Sequence, residues 1–262
     1  MFPSDQIPQA ERGGVLGLRA VHKTYGSEHA LRGVDLDLSP GITVLLGRNG
    51  AGKSTLCHIL TGMEPADSGD VVRHGSPLLT RSDWRQHHRA TGWLPQQLPV
   101  PAAMTVEEYL RHAAWLKALP RKDASDRIDA ALVRVDLADL RGRRLGHLSG
   151  GMLRRAGIAQ ALVHDPDVVV LDEPTVGLDP EQRAWFHSAL RDLSRDKCVL
   201  VSTHLLEDVE AFPGRVVVLD QGRVVFSDTT EALIDRGEVG GTSQERLRSG
   251  FLHVLAESEI AP

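Results

Sequence analysis

Residues 42–55 run Ile42-Thr43-Val44-Leu45-Leu46-Gly47-Arg48-Asn49-Gly50-Ala51-Gly52-Lys53-Ser54-Thr55. The first five are β-branched or aliphatic, the unbroken apolar pattern of a strand covered on both faces. Leu56-Cys57-His58-Ile59-Leu60 continues as a helix, so the glycine-rich segment lies between the carboxyl end of a strand and a helix start. Gly47, Gly50 and Gly52, with Arg48, Asn49 and Ala51 between them, let the backbone wrap an anion closely. The first N–H groups of the helix, at the positive end of its dipole, point at that anion. Lys53 is placed to reach β- and γ-phosphates, and the Ser54 hydroxyl, with Thr55 beside it, to ligate Mg²⁺. The spacing predicts a phosphate-binding loop and hence a bound nucleotide. A mere glycine-rich turn with a solvent-facing lysine would not require every fixed position to be filled in this context.

A second segment, Val168-Val169-Val170-Leu171-Asp172-Glu173, is an aliphatic run ending in two adjacent carboxylates. It has the composition of a central parallel strand. Strand alternation predicts that the two acids project differently at its carboxyl end. Asp172 is then a candidate for the Mg²⁺ shell and Glu173 for an attacking water, although one of the pair could instead cap a helix.

The third segment is Leu148-Ser149-Gly150-Gly151-Met152, followed by the helical Leu153-Arg154-Arg155-Ala156-Gly157-Ile158-Ala159-Gln160-Ala161-Leu162. Ser149 is suited to N-cap that helix, and the glycines open its first N–H groups to an anion. Ser-Gly-Gly alone would usually be a turn. Between a phosphate loop and a diacidic strand, it resembles the signature of the ATP-binding cassette (ABC) ATPases, and the resemblance runs from about Leu16 to about Ile234.

Further elements match that family in order. Tyr25, in Lys23-Thr24-Tyr25-Gly26, resembles the aromatic that stacks on adenine. Gln96, in Leu94-Pro95-Gln96-Gln97, resembles the glutamine that contacts Mg²⁺ and the attacking water and senses the membrane partner, with Gln97 as its neighbouring competitor. Gly177-Leu178-Asp179-Pro180 is similar to the loop that carries an aspartate across a dimer, and the same Asp-Pro pair suits a helix start. His204, after Cys198-Val199-Leu200-Val201-Ser202-Thr203, resembles the switch histidine that bonds the γ-phosphate.

The resemblance implies an α/β fold: a phosphate-loop core with a mainly parallel sheet, an antiparallel β patch and an inserted helical subdomain bearing the signature. The antiparallel patch is expected from short β-rich stretches at Val15–Val21, Leu31–Leu38 and Asp70–Arg73. Residues 98–164 turn helical, opening with the capping box Thr105-Val106-Glu107-Glu108. Val216 to Phe226, with Gly222 near its middle, carries a hairpin signal. The expected organisation is a leader over residues 1–14, an ATPase domain over 15–235 and a tail over 236–262 with a short helix near Gln244 to Leu255.

The chain's 262 residues, 41% of them hydrophobic, suffice for one large α/β domain. Its net charge of −5 offers no basic footprint for nucleic acid. Cys57 and Cys198 fall in element interiors and read as buried apolar residues in a reducing compartment. The 12 histidines show no His-Glu-x-x-His or paired Cys/His spacing, which argues against a zinc site. Charges interrupt every apolar run well before the ~18 residues of a crossing helix, and residues 1–8 lack the pattern of a secretory signal.

From the resemblance follow the cofactors ATP and Mg²⁺ and a shared-site mechanism. Two cassettes clamp two ATP molecules, each between the phosphate loop of one chain and Ser149, Gly150, Gly151 and Asp179 of the other. Glu173 serves as general base, and Lys53, His204 and Gln96 position the water and offset charge. The implied partners are a second ATPase subunit, as a homodimer, and separate membrane-spanning permease subunits. The chain would then lie peripherally on the cytoplasmic face of the membrane. The segments around Asp179 and His204 look most like exporter cassettes of the ABC-2 type. An importer subunit, or a soluble relative acting on DNA or ribosomes, is the alternative. The soluble relatives carry a long coiled coil or two cassettes in one chain, and neither pattern is present. A phosphate-loop GTPase would need an Asn/Thr-Lys-x-Asp motif, which is missing.

Overall fold

A computed structural model describes residues 14–212 and 214–260. All of the expected leader except Gly14 lies outside them. The centre is a six-stranded sheet built from β3 (Gly41–Leu46), β6 (Thr91–Leu94), β7 (Val168–Asp172), β8 (Cys198–Thr203), β9 (Arg215–Asp220) and β10 (Arg223–Thr229). Its order is β10-β9-β3-β8-β7-β6. The pairs from β9 to β6 are parallel, and β10 returns antiparallel on β9.

The unbroken apolar runs follow from burial of both sheet faces. Val44, Leu46, Val169, Leu171, Val199 and Val201 point into one apolar cluster, and Leu45, Val168, Val170, Cys198 and Leu200 into the other. The first cluster is closed by α3 (Val106–Leu116), α4 (Arg121–Arg134), α5 (Gly150–Leu162), α6 (Pro180–Leu193) and α9 (Ser243–Ile260). The second is closed by α1 (Lys53–Thr61) and an antiparallel sheet. That sheet has the order β2-β1-β4-β5, from β1 (Leu16–Tyr25), β2 (Glu28–Leu38), β4 (Ser68–Arg73) and β5 (Ser76–Pro77). Cys57 and Cys198 are free and buried in this second cluster, as expected of small apolar residues.

The helical insertion consists of α3, α4 and α5, with short 3₁₀ turns at Ala138–Leu140 and Leu145–His147. Its first helix starts on the expected capping box, with Thr105 Oγ1 accepting from Glu108 N and Glu108 Oε2 accepting from Thr105 N. Elsewhere α2 (Arg81–Ala90) precedes β6, α7 (Leu206–Ala211) follows β8, and α8 (Thr230–Asp235) leads to α9.

The β9–β10 hairpin turns on Gln221 and Gly222, at φ +44° and +77°. Two consecutive left-handed residues are what a tight type I′ connection requires. A side chain at Gly222 would also meet Ala30 O at 2.6 Å. The turn is stitched at both sides: Gly222 N donates to Ala51 O at 3.0 Å, and Gly222 O accepts from Arg32 N at 2.8 Å. In the parallel part of the sheet, the carboxyl ends of β3, β6, β7 and β8 share one edge, the place where open α/β sheets bind ligands.

Candidate active site

The phosphate loop follows β3 directly. Gly47 N is held by Thr203 O at 3.3 Å, and Ala51 N closes a turn on Arg48 O at 3.2 Å. Gly52, at φ +103°, precedes α1; a Cβ there would lie 2.4 Å from Ala30 O, so only glycine fits. The first N–H groups of α1 have no partner within the helix and are aimed out of its N-terminus. Lys53 is buried, and its ammonium donates back to Gly47 O at 2.9 Å and Arg48 O at 3.1 Å, wrapping the loop around the cation. Ser54 and Thr55 occupy the first turn, half-buried beside it.

Four strand ends converge on one carboxylate. Glu173 Oε1 lies 3.4 Å from Lys53 Nζ and 3.2 Å from His204 Nδ1, while Oε2 accepts from Gln96 Nε2 at 3.0 Å. Gln96 rather than Gln97 makes this contact. Asp172, the last residue of β7, is buried and accepts from Ser202 Oγ through Oδ1. The two acids diverge as expected, but not through strand alternation. Glu173 has left the strand with φ +44°, a left-handed backbone that costs a non-glycine residue on the order of 1 kcal/mol. Its N–H is fixed by Ser202 O at 3.1 Å and Ser202 Oγ at 3.0 Å.

Tyr25 lies outside the Glu173 cluster and is 46% exposed. Its hydroxyl donates to Glu64 Oε2 at 2.5 Å, and Lys23 Nζ lies 5.5 Å from the ring centroid. Partial burial and the adjacent Glu64 raise the phenol above its ordinary pKa. Ser149 caps α5 by accepting from Met152 N at 3.3 Å, followed by exposed Gly150 and buried Gly151. Asp179 caps α6 by accepting from Gln182 N at 2.8 Å, with Pro180 as the first helical residue. Among the described residues, no hydrogen bond or ion pair joins the Ser149 turn or Asp179 to the phosphate loop of the same chain.

Comparison with known proteins decides the family. A family model described as ABC transporter matches residues 31–176, more than half of the chain. The chain belongs to the ABC transporter ATPases. It is 35% identical over 227 residues to the Nod factor export ATP-binding protein I of Burkholderia orbicola (strain AU 1054), covering 86% of this chain and 74% of that protein. Among solved structures, cbiO1 from Clostridium perfringens, described as part of the transporter complex cbiONQ, superposes with a TM-score of 0.77 at 25% identity. That match covers 95% of this chain and 98% of cbiO1. The dimeric structure of MJ0796, a bacterial ABC transporter cassette, gives a TM-score of 0.73 at 25% identity over 82% of this chain and 98% of that one. This ABC protein is therefore an ATP-binding subunit, and ATP hydrolysis is its chemistry.

One element of this ABC site had no sequence signal. Asp208 on α7 is fully buried and accepts from Thr175 Oγ1 at 2.6 Å, Thr203 Oγ1 at 2.6 Å and His187 Nε2 at 2.9 Å. Burial alone would raise its pKa, but the bonds from His187, Thr175 and Thr203 outweigh that and hold it below the usual carboxylate range. Asp208 thereby ties the strand end bearing His204 to the loop after Glu173 and to α6. Two of its three partners, His187 and Thr175, lie 21 and 33 residues away, beyond any local pattern.

Proposed function

We propose that this chain pairs with a second copy around two ATP molecules and uses their hydrolysis to drive export through separate membrane-spanning subunits. The observation that carries the reading is the Glu173 carboxylate, which faces a lysine, a histidine and a glutamine within 3.4 Å at the mouth of the phosphate loop. A carboxylate held this way is suited to accept a proton from water as the water attacks the γ-phosphorus, while ADP departs with the bridging oxygen. In this reading Lys53 and His204 offset the charge on the transferring group, and the loop amides hold the remaining phosphates. Gln96 orients the water from the opposite side. Tyr25 contributes a stacking face for adenine.

Mg²⁺ suits the donors present, which are hard oxygens. Asp172 has one oxygen engaged by Ser202, leaving Oδ2 available. Gln96 turns its amide nitrogen toward Glu173, leaving its carbonyl oxygen to face the other way, and Ser54 adds a hydroxyl. When bound, the ion would neutralise charge on the β- and γ-phosphates.

The Ser149 turn and Asp179 are assigned to the ATP of the opposite subunit. Two observations favour that assignment: their lack of bonds to the loop of their own chain, and the dimeric form of the related cassette. Two helix N-termini then bind one γ-phosphate, so ATP favours the closed dimer and its hydrolysis favours opening. Export is favoured by the names of the relatives. No helix among the described residues is long and apolar enough to cross a membrane. Attachment to the cytoplasmic face is therefore assigned to the permease partner.

The test is Glu173→Gln, which keeps shape and removes the base. Hydrolysis should fall by about 10²–10⁴-fold with ATP binding retained, and a nucleotide-bound dimer should accumulate on size exclusion. Unchanged turnover at saturating Mg-ATP would sink the assignment.

A further inference from the structure

Arg154 lies on α5, five residues beyond Ser149 and so about 7.5 Å along the helix axis. Its guanidinium is turned inward, and its N–H groups find carbonyl oxygens in two separate loops. Nε donates to Pro174 O at 3.0 Å. Nη1 donates to Pro95 O and Gln96 O, both at 3.0 Å. Nη2 donates to Asp172 O at 2.9 Å and Glu173 O at 2.7 Å. A guanidinium has five N–H donors in a rigid plane, and all five are used. None of these acceptors is a carboxylate. Burial pulls the pKa down to about 10, with the Asp172 and Glu173 charges opposing, and the group stays cationic at neutral pH.

These carbonyls belong to the segments that carry Gln96 and Glu173, whose side chains meet at 3.0 Å. One nitrogen, Nη2, holds the carbonyls on both sides of the left-handed Glu173 Cα. Helix α5 does not need Arg154 in order to dock, since Ala156, Ile158, Ala159 and Leu162 already bury its apolar face. What the guanidinium adds is the position of the two loops relative to each other and to the Ser149 end of the helix.

We propose that Arg154 is a positioning residue for hydrolysis: it sets Glu173 and Gln96 for water attack from the helix whose N-terminus carries Ser149. A nucleotide seated on the Ser149 turn of one chain is thereby linked to the base of that same chain, which serves the other ATP of the dimer. The proposal rests on the assignment of Glu173 as base. Lysine cannot replace Arg154, because an ammonium offers three donors from a single point and cannot span both loops.

The experiment compares Arg154→Lys, Glu173→Gln and the double variant of the full chain in steady-state and single-turnover ATP hydrolysis, with ATP affinity and melting temperature measured alongside. Arg154→Lys should lower kcat about tenfold or more while KM and ATP affinity change less than about threefold, and the melting temperature should stay near that of the parent chain. Because Arg154 acts through Glu173, adding Arg154→Lys to Glu173→Gln should lower the residual single-turnover rate little further. Wild-type kcat in Arg154→Lys overturns the proposal, as does full additivity in the double variant. So does a chain that loses ATP binding and folding together, which would make Arg154 a structural staple. If Glu173→Gln alone turns over normally, the base assignment fails first. If it is inactive while Arg154→Lys is normal, only the positioning role fails.

Discussion

Replacing Asp208 should divide sharply between alanine and asparagine. The side chain is fully buried and satisfies three donors: the hydroxyls of Thr175 and Thr203 and Nε2 of His187. Asp208→Ala removes every acceptor at once. A buried donor left without a partner costs roughly 1–3 kcal/mol, and the hydroxyls are free to rotate toward other oxygens, so the expected loss is about 3–6 kcal/mol. That is a large part of the roughly 5–15 kcal/mol that separates a folded domain from its unfolded chain. Asp208→Asn keeps the volume. Its carbonyl oxygen can take the place of Oδ2 between the two threonines, and its amide can face His187 once that ring presents Nε2 as an acceptor. Only the charge assistance is lost, about 1–2 kcal/mol. Denaturant unfolding at neutral pH, compared at equal m-values, reads the difference. The sign with pH follows from the lowered carboxyl pKa. The aspartate's contribution is complete above the unfolded value and is lost as pH falls through the folded one, so the acid limb of the asparagine variant should be shallower. If Asp208→Ala unfolds within about 1 kcal/mol of the parent chain, the three bonds do not hold this part of the fold.

Tyr25→Ala should weaken equilibrium binding of ATP, whereas Tyr25→Phe, which keeps the ring and loses the hydroxyl bond to Glu64, should change the Kd by less than about threefold; equal damage from both would show that the hydroxyl is what matters. His87 has no exposed surface, and burial pushes its pKa down to about 4. Its unfolded form therefore binds more protons between about pH 4 and 6.5, and stability should fall by roughly 2 kcal/mol from this residue between pH 7 and pH 5. A denaturation midpoint in His87→Gln with the parent's pH slope would contradict that. Ser149→Arg and Lys53→Ala chains, each inactive alone, should recover part of the ATPase activity on mixing, because one composite site of the mixed dimer is intact. No recovery, with mixed dimers shown by cross-linking and one-site turnover verified in a tethered control, would refute sites built in trans.

The parts of the fold that could be read from the sequence are those whose burial leaves a local trace. Ile42–Leu46 and Val168–Leu171 show no alternation because the sheet has an apolar cluster on each face. Thr105 and Glu108 announce a helix start three residues apart, and Gly222 marks the hairpin. By contrast β6, Thr91–Leu94, is four residues long with a glycine in it, too short to show a period. Gly92 is there because the strand passes close to α5, where a Cβ would lie 2.2 Å from Ala161 O. That constraint is tertiary. At the site, adjacency of Asp172 and Glu173 predicted two directions, but the left-handed turn that produces them depends on Ser202, 29 residues away from Glu173. Asp208 and Arg154 were equally silent. Each is an ordinary helix residue until its distant partners are known: no spacing rule encodes a carboxylate bonded to His187 and Thr175 or a guanidinium bonded to the carbonyls of two other segments.

The stitched turn of the β9–β10 hairpin bears on when the molecule becomes competent during synthesis. Hairpin tips are commonly places where insertions and chain breaks are tolerated. This one bonds Ala51 on one side and Arg32 on the other, so it forms part of the wall of the phosphate loop. A ribosome-bound chain that has emerged only as far as α6 has made the glycines and Lys53, but it lacks β8, whose Thr203 holds Gly47, β9, which flanks β3, and the turn that braces Ala51. The loop then has its sequence without its shape. Tight nucleotide capture should accordingly await the hairpin, some 170 residues after the residues that perform it, and a tag inserted at Gln221 should weaken ATP binding by releasing Ala51.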